Sequence, residues 1–452
     1  MKAIKIIDSL QNIGEKVEIQ GRIETVRDHG KITFVDIADA TGLLQTVWKT
    51  FTPISPQSIV QVEGEIKLRP DNLINKDLET GTIELKVENH KVISESHTAP
   101  IPIDGDGYDI DENLRLKYRY LDLRRKRLQK NLKLRHQIAT AVRGFLNEEG
   151  FVEIETPYLS KTTPEGARDF LVPSRLQPGK FYALAQAPQQ YKQLLMIAGF
   201  EKYYQFARAF RDEDMRSDRQ FEHTQIDLEM ANVTREDITS LIERMFIQVA
   251  KSQDKKILKT PFPVFTFKEA INKFGRDKFD LRQNKDGNEL AFAWVIDFPL
   301  FEYLKEEKRY TFSHNPFTSP KEEALKDLMA SRNLENLLSY QYDLVLNGEE
   351  LGSGSIRITD PKVQKQVFKI LGYSDQKIEE DFGHLLSAYK FGAPKHGGIA
   401  IGLDRLCAVF AGEKSIREVI AFPTYGSGQT AVMEAPSVVD DNILKELKLK
   451  KS

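Results

Sequence analysis

The sequence predicts an α+β protein: a small closed β-barrel, then a larger domain on an antiparallel sheet flanked by helices. Three observations carry this. The first hundred residues hold five short segments of period two: Val17 to Arg27, Ile32 to Asp39, Leu43 to Trp48, Ile59 to Arg69 and Thr82 to Ile93. Pro100 to Gly107, rich in proline, glycine and aspartate, reads as a boundary. Beyond it strands and helices mix to about residue 430 without the strict βαβ alternation of a doubly wound sheet.

In Val62 to Arg69 and in Ile83 to Glu88, apolar residues alternate with charged ones, as in strands with one face on a core and one in water. Five such strands suit a barrel over residues 1–104, the oligonucleotide-binding type being one candidate. Residues 105–130 carry Arg115, Lys117, Arg119, Arg124, Arg125, Lys126, Arg127 and Lys130 and read as a basic hinge running into a helix. Leu134, Ile138, Ala141, Val142 and Phe145 recur at helical spacing, and Gly150 is placed to end that helix. The second domain is expected over 131–435, with a tail over 436–452.

Composition narrows the function classes. With 65 Lys and Arg against 67 Asp and Glu, the net charge of −2 gives no whole-molecule attraction to nucleic acid, so such a partner must meet a local patch. The single cysteine, Cys407, allows neither an internal disulfide nor a cysteine-rich zinc site and fits a reducing compartment. No apolar run is long enough for a membrane span and no signal-peptide core follows Met1, so a cytoplasmic protein without membrane partners is expected. No GxxxxGK[ST] phosphate loop occurs, and Gly352-Ser353-Gly354 does not extend to a dinucleotide fingerprint.

Asn347-Gly348 between apolar strands is a strong hairpin signal, because a type I′ turn needs positive φ at both central positions. That turn puts Glu350 opposite Val345 and Gly352 opposite Asp343, so Asp343 and Glu350 become same-face diagonal neighbours about 7 Å apart. They are either a magnesium site completed by phosphate oxygens or two solvated acids on an exposed face. Arg357 falls on the opposite face by simple alternation unless a bulge at Gly352 or Gly354 resets the parity. Arg208 to Glu229 is dense in arginines and acids, either an anion-binding set of guanidinium forks or a surface ion network. Small residues from Gly398 to Gly402 permit close approach of a backbone or flat ligand, and Arg405 then opens an apolar helix. In the barrel, Val35 and Ile37 point inward, which turns Phe34 outward between Arg27 and Lys31 as a base-stacking platform.

At these residues the chain resembles the class II aminoacyl-tRNA synthetases, most closely the bacterial aspartate enzymes. Gly150 to Pro157 is similar to their motif 1, Phe210 to Gln225 to motif 2, and Gly402-Leu403-Asp404-Arg405 to motif 3. Thr163 to Asp169, Gln189 to Gln193 and Asn315 to Thr318 resemble stretches particular to the aspartate enzymes. The resemblance implies a two-step reaction: aspartate attacks the α-phosphate of ATP, and the terminal adenosine of tRNA(Asp) then takes the aspartyl group. It implies that Arg211 contacts the α-phosphate and the substrate, and that Arg405 meets the γ-phosphate. Asp212, Glu213, Gln220, Glu350, Gly402, Leu403 and Asp404 complete the ATP site, and Asp343 and Glu350 hold Mg2+. Arg211, Glu350 and Arg405 form the catalytic set. For aspartate, Lys192 and Arg357 face the side-chain carboxylate, Gln189 and His314 line the pocket, Asp227 lies near the amine, and Glu165 lies on a closing loop. Two cations around one carboxylate also suggest why asparagine is rejected. The barrel would bind the anticodon through Arg27, His29, Phe34, Gln45, Arg69 and Glu84.

Departures from the family pattern sharpen the expectations. Only Gln283 to Glu289 stands where full-length bacterial relatives carry an inserted domain, so that domain is expected to be absent and catalysis to survive. His29, where leucine is frequent, is associated with enzymes that also charge tRNA(Asn), whose product a partner amidotransferase would convert. Ala187, where relatives often have serine, is expected to matter little. A homodimer through motif 1 is implied, and no DNA partner. The alternatives are an enzyme strictly specific for tRNA(Asp), an asparagine or lysine enzyme, and a catalytically silent tRNA-binding relative. The last should have lost one of Arg211, Glu350 and Arg405.

Overall fold

A computed structural model describes residues 2–162, 166–285 and 288–450. It divides into two compact units, Met1–Ile103 and Asp104–Ser452.

The first unit is the expected barrel. Its strands are β1 (Lys16–Asp28), β2 (Thr33–Ala38), β3 (Leu43–Trp48), β4 (Ile59–Leu68) and β5 (Ile83–Ser94), each close to its predicted span. Antiparallel pairing joins β1 to β2, β2 to β3 and β5 to β4, β3 runs parallel to β5, and β4 returns to β1 to close the ring. Alternation sends Val17, Ile19, Val35, Ile37, Val60 and Val62 into a core from which water is excluded. Trp48 joins that core, and its indole N–H donates to Thr46 Oγ1 (2.7 Å), whose hydroxyl donates to the Val35 carbonyl (2.7 Å).

The second unit begins with α1 (Glu112–Lys117), α2 (Arg119–Asp122) and α3 (Lys126–Glu148). Residues 105–130, expected as a hinge, are part of this unit, and Arg115, Arg119 and Arg125 in them are buried ion-pair partners rather than a solvated basic run. Asp122 accepts from Arg119 (2.7 Å), Arg125 (2.7 Å) and Arg115 (3.4 Å), and Glu418 accepts from Arg115 (2.7 Å) and Arg127 (2.8 Å). Gly150, at φ 80°, turns the chain out of α3.

The main sheet has eight strands: β6 (Val152–Glu153), β7 (Lys202–Phe210), β8 (Glu222–Ala231), β9 (Val264–Thr266), β10 (Phe292–Ile296), β11 (Gln341–Leu346), β12 (Glu349–Ile356) and β13 (His396–Gly402). Their spatial order is β9-β10-β11-β12-β13-β8-β7-β6, antiparallel throughout except for the outermost pair at each side. One face packs on α3, on Arg235–Ser252 and on Leu403–Ala411, through Ile226 and Leu228 of β8, Ile399 and Ile401 of β13, and Val142, Phe246 and Leu406 of the helices. Period two in β8 therefore turns Gln225, Asp227 and Glu229 to the other face. Among the described residues no helix is long and apolar enough to cross a membrane.

Candidate active site

The face of the sheet opposite those helices carries a cavity of about 420 Å³. Its floor is β8, with Gln225 and Asp227, and β12, with Glu350, Ser353 and the following Arg357. Gln189 and Lys192 enter from the helix Gln189–Ile197, Gly402 and Arg405 from the end of β13 and the helix after it, and His314 and Asn315 from a loop.

Asn347 (φ 53°) and Gly348 (φ 93°) both lie in the left-handed region, as a type I′ hairpin requires. Val345 faces Glu350 as predicted, but the register shifts beyond it: Leu344 faces Gly352, and Asp343 faces Ser353 rather than Gly352. The extra residue is Leu351, not either glycine. It is buried in the core, and this bulge reverses the parity of everything after it. Ser353, Ser355 and Arg357 thereby share a face with Glu350, and Arg357 enters the cavity.

Arg357 and Lys192, both about 1% exposed, lie deep in the cavity and are already partnered. Glu229 receives Arg357 at two points, Nε at 2.9 Å and Nη2 at 3.1 Å. Lys192 Nζ lies 2.9 Å from Asp227 and 3.2 Å from Glu229. Arg357 also donates to Ser355 Oγ (2.6 Å) and to the Gly398 carbonyl (3.4 Å), which accounts for four of its N–H donors. Burial pushes the Glu229 carboxyl up, but Arg357 and Lys192 outweigh it and hold it at about 2. Gly398 makes this possible: a Cβ there would collide with the Glu229 carboxylate and the Leu228 carbonyl. The small residues of β13 thus admit a neighbouring side chain at Gly398. The two cations expected to face a substrate carboxylate are thus balanced by two buried acids, Asp227 and Glu229. One acid keeps a vacancy: Asp227 Oδ1 is buried without a hydrogen-bond partner. Glu229 escaped prediction although it shares the parity of Gln225 and Asp227.

Toward the cavity mouth, Arg211 leaves the end of β7, its backbone N–H bonded to the Phe221 carbonyl (2.7 Å) at the base of the intervening loop. Among the described residues, no carboxylate forms an ion pair with its guanidinium. Arg405 donates to the Glu350 carbonyl and approaches Asp218 at 3.4 Å. Glu213 pairs with Arg219 (3.4 Å), and Gln220 is fixed by accepting from the Thr424 N–H (2.6 Å). His223 and His314 are both held down to about 3, by burial first and then by Arg211, Arg208 and Arg405 for His223 and by Arg357, Lys192 and Arg211 for His314. His314 Nδ1 shares a hydrogen with Ser353 Oγ (3.0 Å).

Several expected residues sit elsewhere. Leu403 is in the hydrophobic core and offers no side chain to nucleotide. Asp404 borders the cavity, but its carboxylate is engaged by Arg135 and the Thr224 N–H (3.1 Å). Asp212 does not line the cavity and lies 3.8 Å from Arg168. Glu165 lies outside the described residues. Asp343 is just beneath the cavity surface, bonded to Ser353 and to Gln341 (3.1 Å), and burial, then the charge of Glu350, pushes its carboxyl up to about 8. Mutually repelling oxygen donors are what a hard divalent cation would relieve, so the pair fits Mg2+. Among the described residues no group of three or more His, Cys, Asp or Glu side chains is gathered around a metal position.

In the barrel unit, Arg27 faces Phe34 across β1 and β2, and pairs with Asp36 at 2.6 and 2.8 Å. It also donates to Gln45 (3.3 Å), which donates to Glu84 (3.1 Å), so these polar side chains form a string across the strands. Phe34 is half-buried rather than fully outward, with His29 edge-on at 5.5 Å. Arg69 departs from expectation: it is 6% exposed and its Nε donates to the Ile83 carbonyl (2.8 Å).

A model of class II tRNA synthetases (D, K and N) matches residues 111–426, and one of OB-fold nucleic acid binding domains matches 17–93. The chain is 38% identical to an "Aspartate--tRNA(Asp/Asn) ligase" of Caldanaerobacter subterraneus subsp. tengcongensis, covering 98% of this chain and 96% of that protein. It is 37% identical to an "Aspartate--tRNA ligase" of Macrococcus caseolyticus, covering 96% of each. The first alignment runs over 574 positions against 452 residues here, so more than a hundred of them have no counterpart in this chain. Solved structures of similar fold include aspartyl-tRNA synthetase from Entamoeba histolytica, with TM-score 0.73, 20% identity and coverage of 94% of this chain and 91% of that one. Another is asparaginyl-tRNA synthetase from Pyrococcus horikoshii with asparaginyl-adenylate, with TM-score 0.72, 22% identity and coverage of 91% and 95%.

Proposed function

The chain belongs to the class II tRNA synthetases of the aspartate, lysine and asparagine group, and from that premise we propose that its cavity activates L-aspartate with ATP. The aspartyl group then passes to the 3′ end of tRNA(Asp) and also of tRNA(Asn). The observation that carries the amino acid assignment is the buried quartet of Lys192, Arg357, Asp227 and Glu229 in the same cavity as Arg211 and Arg405.

The quartet is electrically balanced before substrate arrives. An incoming α-ammonium takes Asp227, whose Oδ1 has no other partner, and this releases Lys192. Lys192 and the remaining N–H of Arg357 then meet a side-chain carboxylate. Asparagine would bring the same ammonium and release the same lysine, but its amide would leave that charge without a counter-ion. A charge left unpaired in so buried a site is worth several kcal/mol, roughly 3–5 by comparison with broken buried pairs. A lysine substrate would set like charges together.

The first step needs little proton chemistry, because the nucleophile is a carboxylate. It attacks the α-phosphorus, the bond to the bridging oxygen breaks, and pyrophosphate leaves. Positioning and charge neutralisation do the catalytic work. Arg211 takes α-phosphate charge where no described carboxylate competes for it, and Arg405 takes the far end of the triphosphate. Neutral His223 and His314 add no positive charge that would trap the product. Asp343 and Glu350 would hold Mg2+, which when bound neutralises phosphate charge.

The barrel reads the anticodon with Phe34 as the stacking aromatic, and His29 beside it together with the relatives' names supports acceptance of both tRNAs. Two chains associate through the motif 1 region, the protein works in the cytoplasm, and a tRNA-dependent amidotransferase converts the aspartyl product on tRNA(Asn). Aspartylation assays on transcripts of the two tRNAs test the reading. Charging of both is expected, and strict rejection of tRNA(Asn) would leave the enzyme specific for tRNA(Asp).

A further inference from the structure

Lys278 is a further cation lining the cavity. Its Nζ lies 2.7 Å from the Glu350 carboxylate, while Arg405 donates to the backbone carbonyl of the same residue. The lysine is not on a loose segment. The helix Phe267–Phe274 ends at Gly275, in left-handed conformation at φ 72°. Four residues on, Phe279 is buried in a cluster with Val345 of the hairpin and stacks on Phe274 with ring centroids 4.0 Å apart. Arg282 then fixes Asp280 at 2.8 and 3.0 Å, so both sides of Lys278 are anchored. The side chain is 45% exposed and lines the cavity shared with Arg211 and Arg405.

We infer that Lys278 is a further ATP-contacting residue with two positions: on Glu350 when the cavity is empty, and on the triphosphate when nucleotide binds. This rests on the proposed function. In the empty site, Lys278 supplies the positive charge that keeps Glu350 from facing buried Asp343 as an uncompensated anion. When Asp343 and Glu350 turn to a divalent cation, Lys278 and that ion cannot both be held at the same carboxylate oxygen without like-charge repulsion. The concentration of negative charge left to it is then the triphosphate in the cavity that Lys278 and Arg405 both line, which a flexible four-carbon stem lets the ammonium follow.

The role carries a signature that a purely structural lysine lacks, because removing it should move two affinities in opposite directions. Lys278→Met keeps the aliphatic stem. Calorimetric titration with ATP in the presence of Mg2+ should show binding weakened about ten- to a hundredfold, the loss expected for a hydrogen bond to a charged group. Lys278→Arg should recover most of it. Titration of the nucleotide-free protein with Mn2+ alone, followed by electron paramagnetic resonance, should show tighter binding in Lys278→Met, since the competing ammonium is gone. Equal thermal melting of the proteins secures the comparison. Unchanged ATP affinity in Lys278→Met, or Mn2+ binding that is not strengthened, would overturn the assignment of Lys278 while wild-type exchange activity persists. A wild-type protein that binds no ATP would overturn the underlying reading of the site as well.

Discussion

Arg357 and Glu229 meet in a two-point ion pair from which solvent is excluded, and Lys192 closes on the same carboxylate at 3.2 Å. A planar guanidinium fork against a carboxylate fixes orientation as well as charge, so Glu229 sets the angle at which Arg357 offers its remaining N–H. Glu229→Gln removes the charge, keeps the shape and leaves two buried cations sharing one acid. The expected cost is roughly 3–5 kcal/mol of stability, with aspartate affinity falling and ATP affinity retained. Urea unfolding and separate titrations with the two substrates check this, and an unchanged aspartate affinity would show that Glu229 is not needed to orient the pocket.

Asp122, fully buried, serves three arginines at once. Asp122→Ala leaves those guanidiniums without their common counter-ion, and a loss of roughly 3–5 kcal/mol is expected in denaturant unfolding of the full chain. A loss below about 1 kcal/mol would mean that neighbouring carbonyls suffice.

Acid should weaken the protein through two partly buried imidazoles that line the cavity. His223 and His314 have folded values of about 3, below the ordinary histidine value, so between about 6.5 and 3 the unfolded chain takes up protons that the folded one refuses. Their contribution is present above about pH 6.5 and is lost as pH falls through that window. Asp343, held up to about 8, acts in the opposite sense, so its contribution declines as pH rises toward 8. Comparing His223→Asn with wild type isolates one imidazole. From about pH 7 to pH 5 the variant's melting temperature should fall less steeply than that of wild type, and parallel curves would contradict the assignment.

Phe34→Ala should separate the two halves of the reaction. Loss of a stacked base is worth about 1–3 kcal/mol, so tRNA affinity should fall roughly five- to a hundredfold while aspartate-dependent exchange between ATP and pyrophosphate is unchanged. Filter binding and exchange assays on the same preparation decide it.

Much of this was legible in the chain because the signals were local. The barrel strands carry period-two alternation over their whole length, and Asn347-Gly348 announces its hairpin through the φ values the turn demands. The bulge was less legible: Leu351 is an ordinary apolar residue, and what makes it bulge is the demand of the core for its side chain, which spacing does not reveal. Arg115 and Arg119 look like part of a solvated run because their main distant acceptors, Glu418 and the Arg417, Ile420 and Ala421 carbonyls, lie about three hundred positions away. Asp122, the near one, sits among too many charges to stand out. Lys278 was silent for the same reason, since its partner Glu350 reaches it only through the fold. Glu229 was within reach, two residues beyond Asp227 on a strand whose alternation was already in view.

The most direct test of the cavity's role is exchange of labelled pyrophosphate into ATP by the purified full chain, with aspartate, asparagine or lysine as the only amino acid present. Aspartate alone should support exchange, and Lys192→Met should abolish it without abolishing ATP binding. Exchange supported by asparagine or lysine, or by none of the three, would contradict the account.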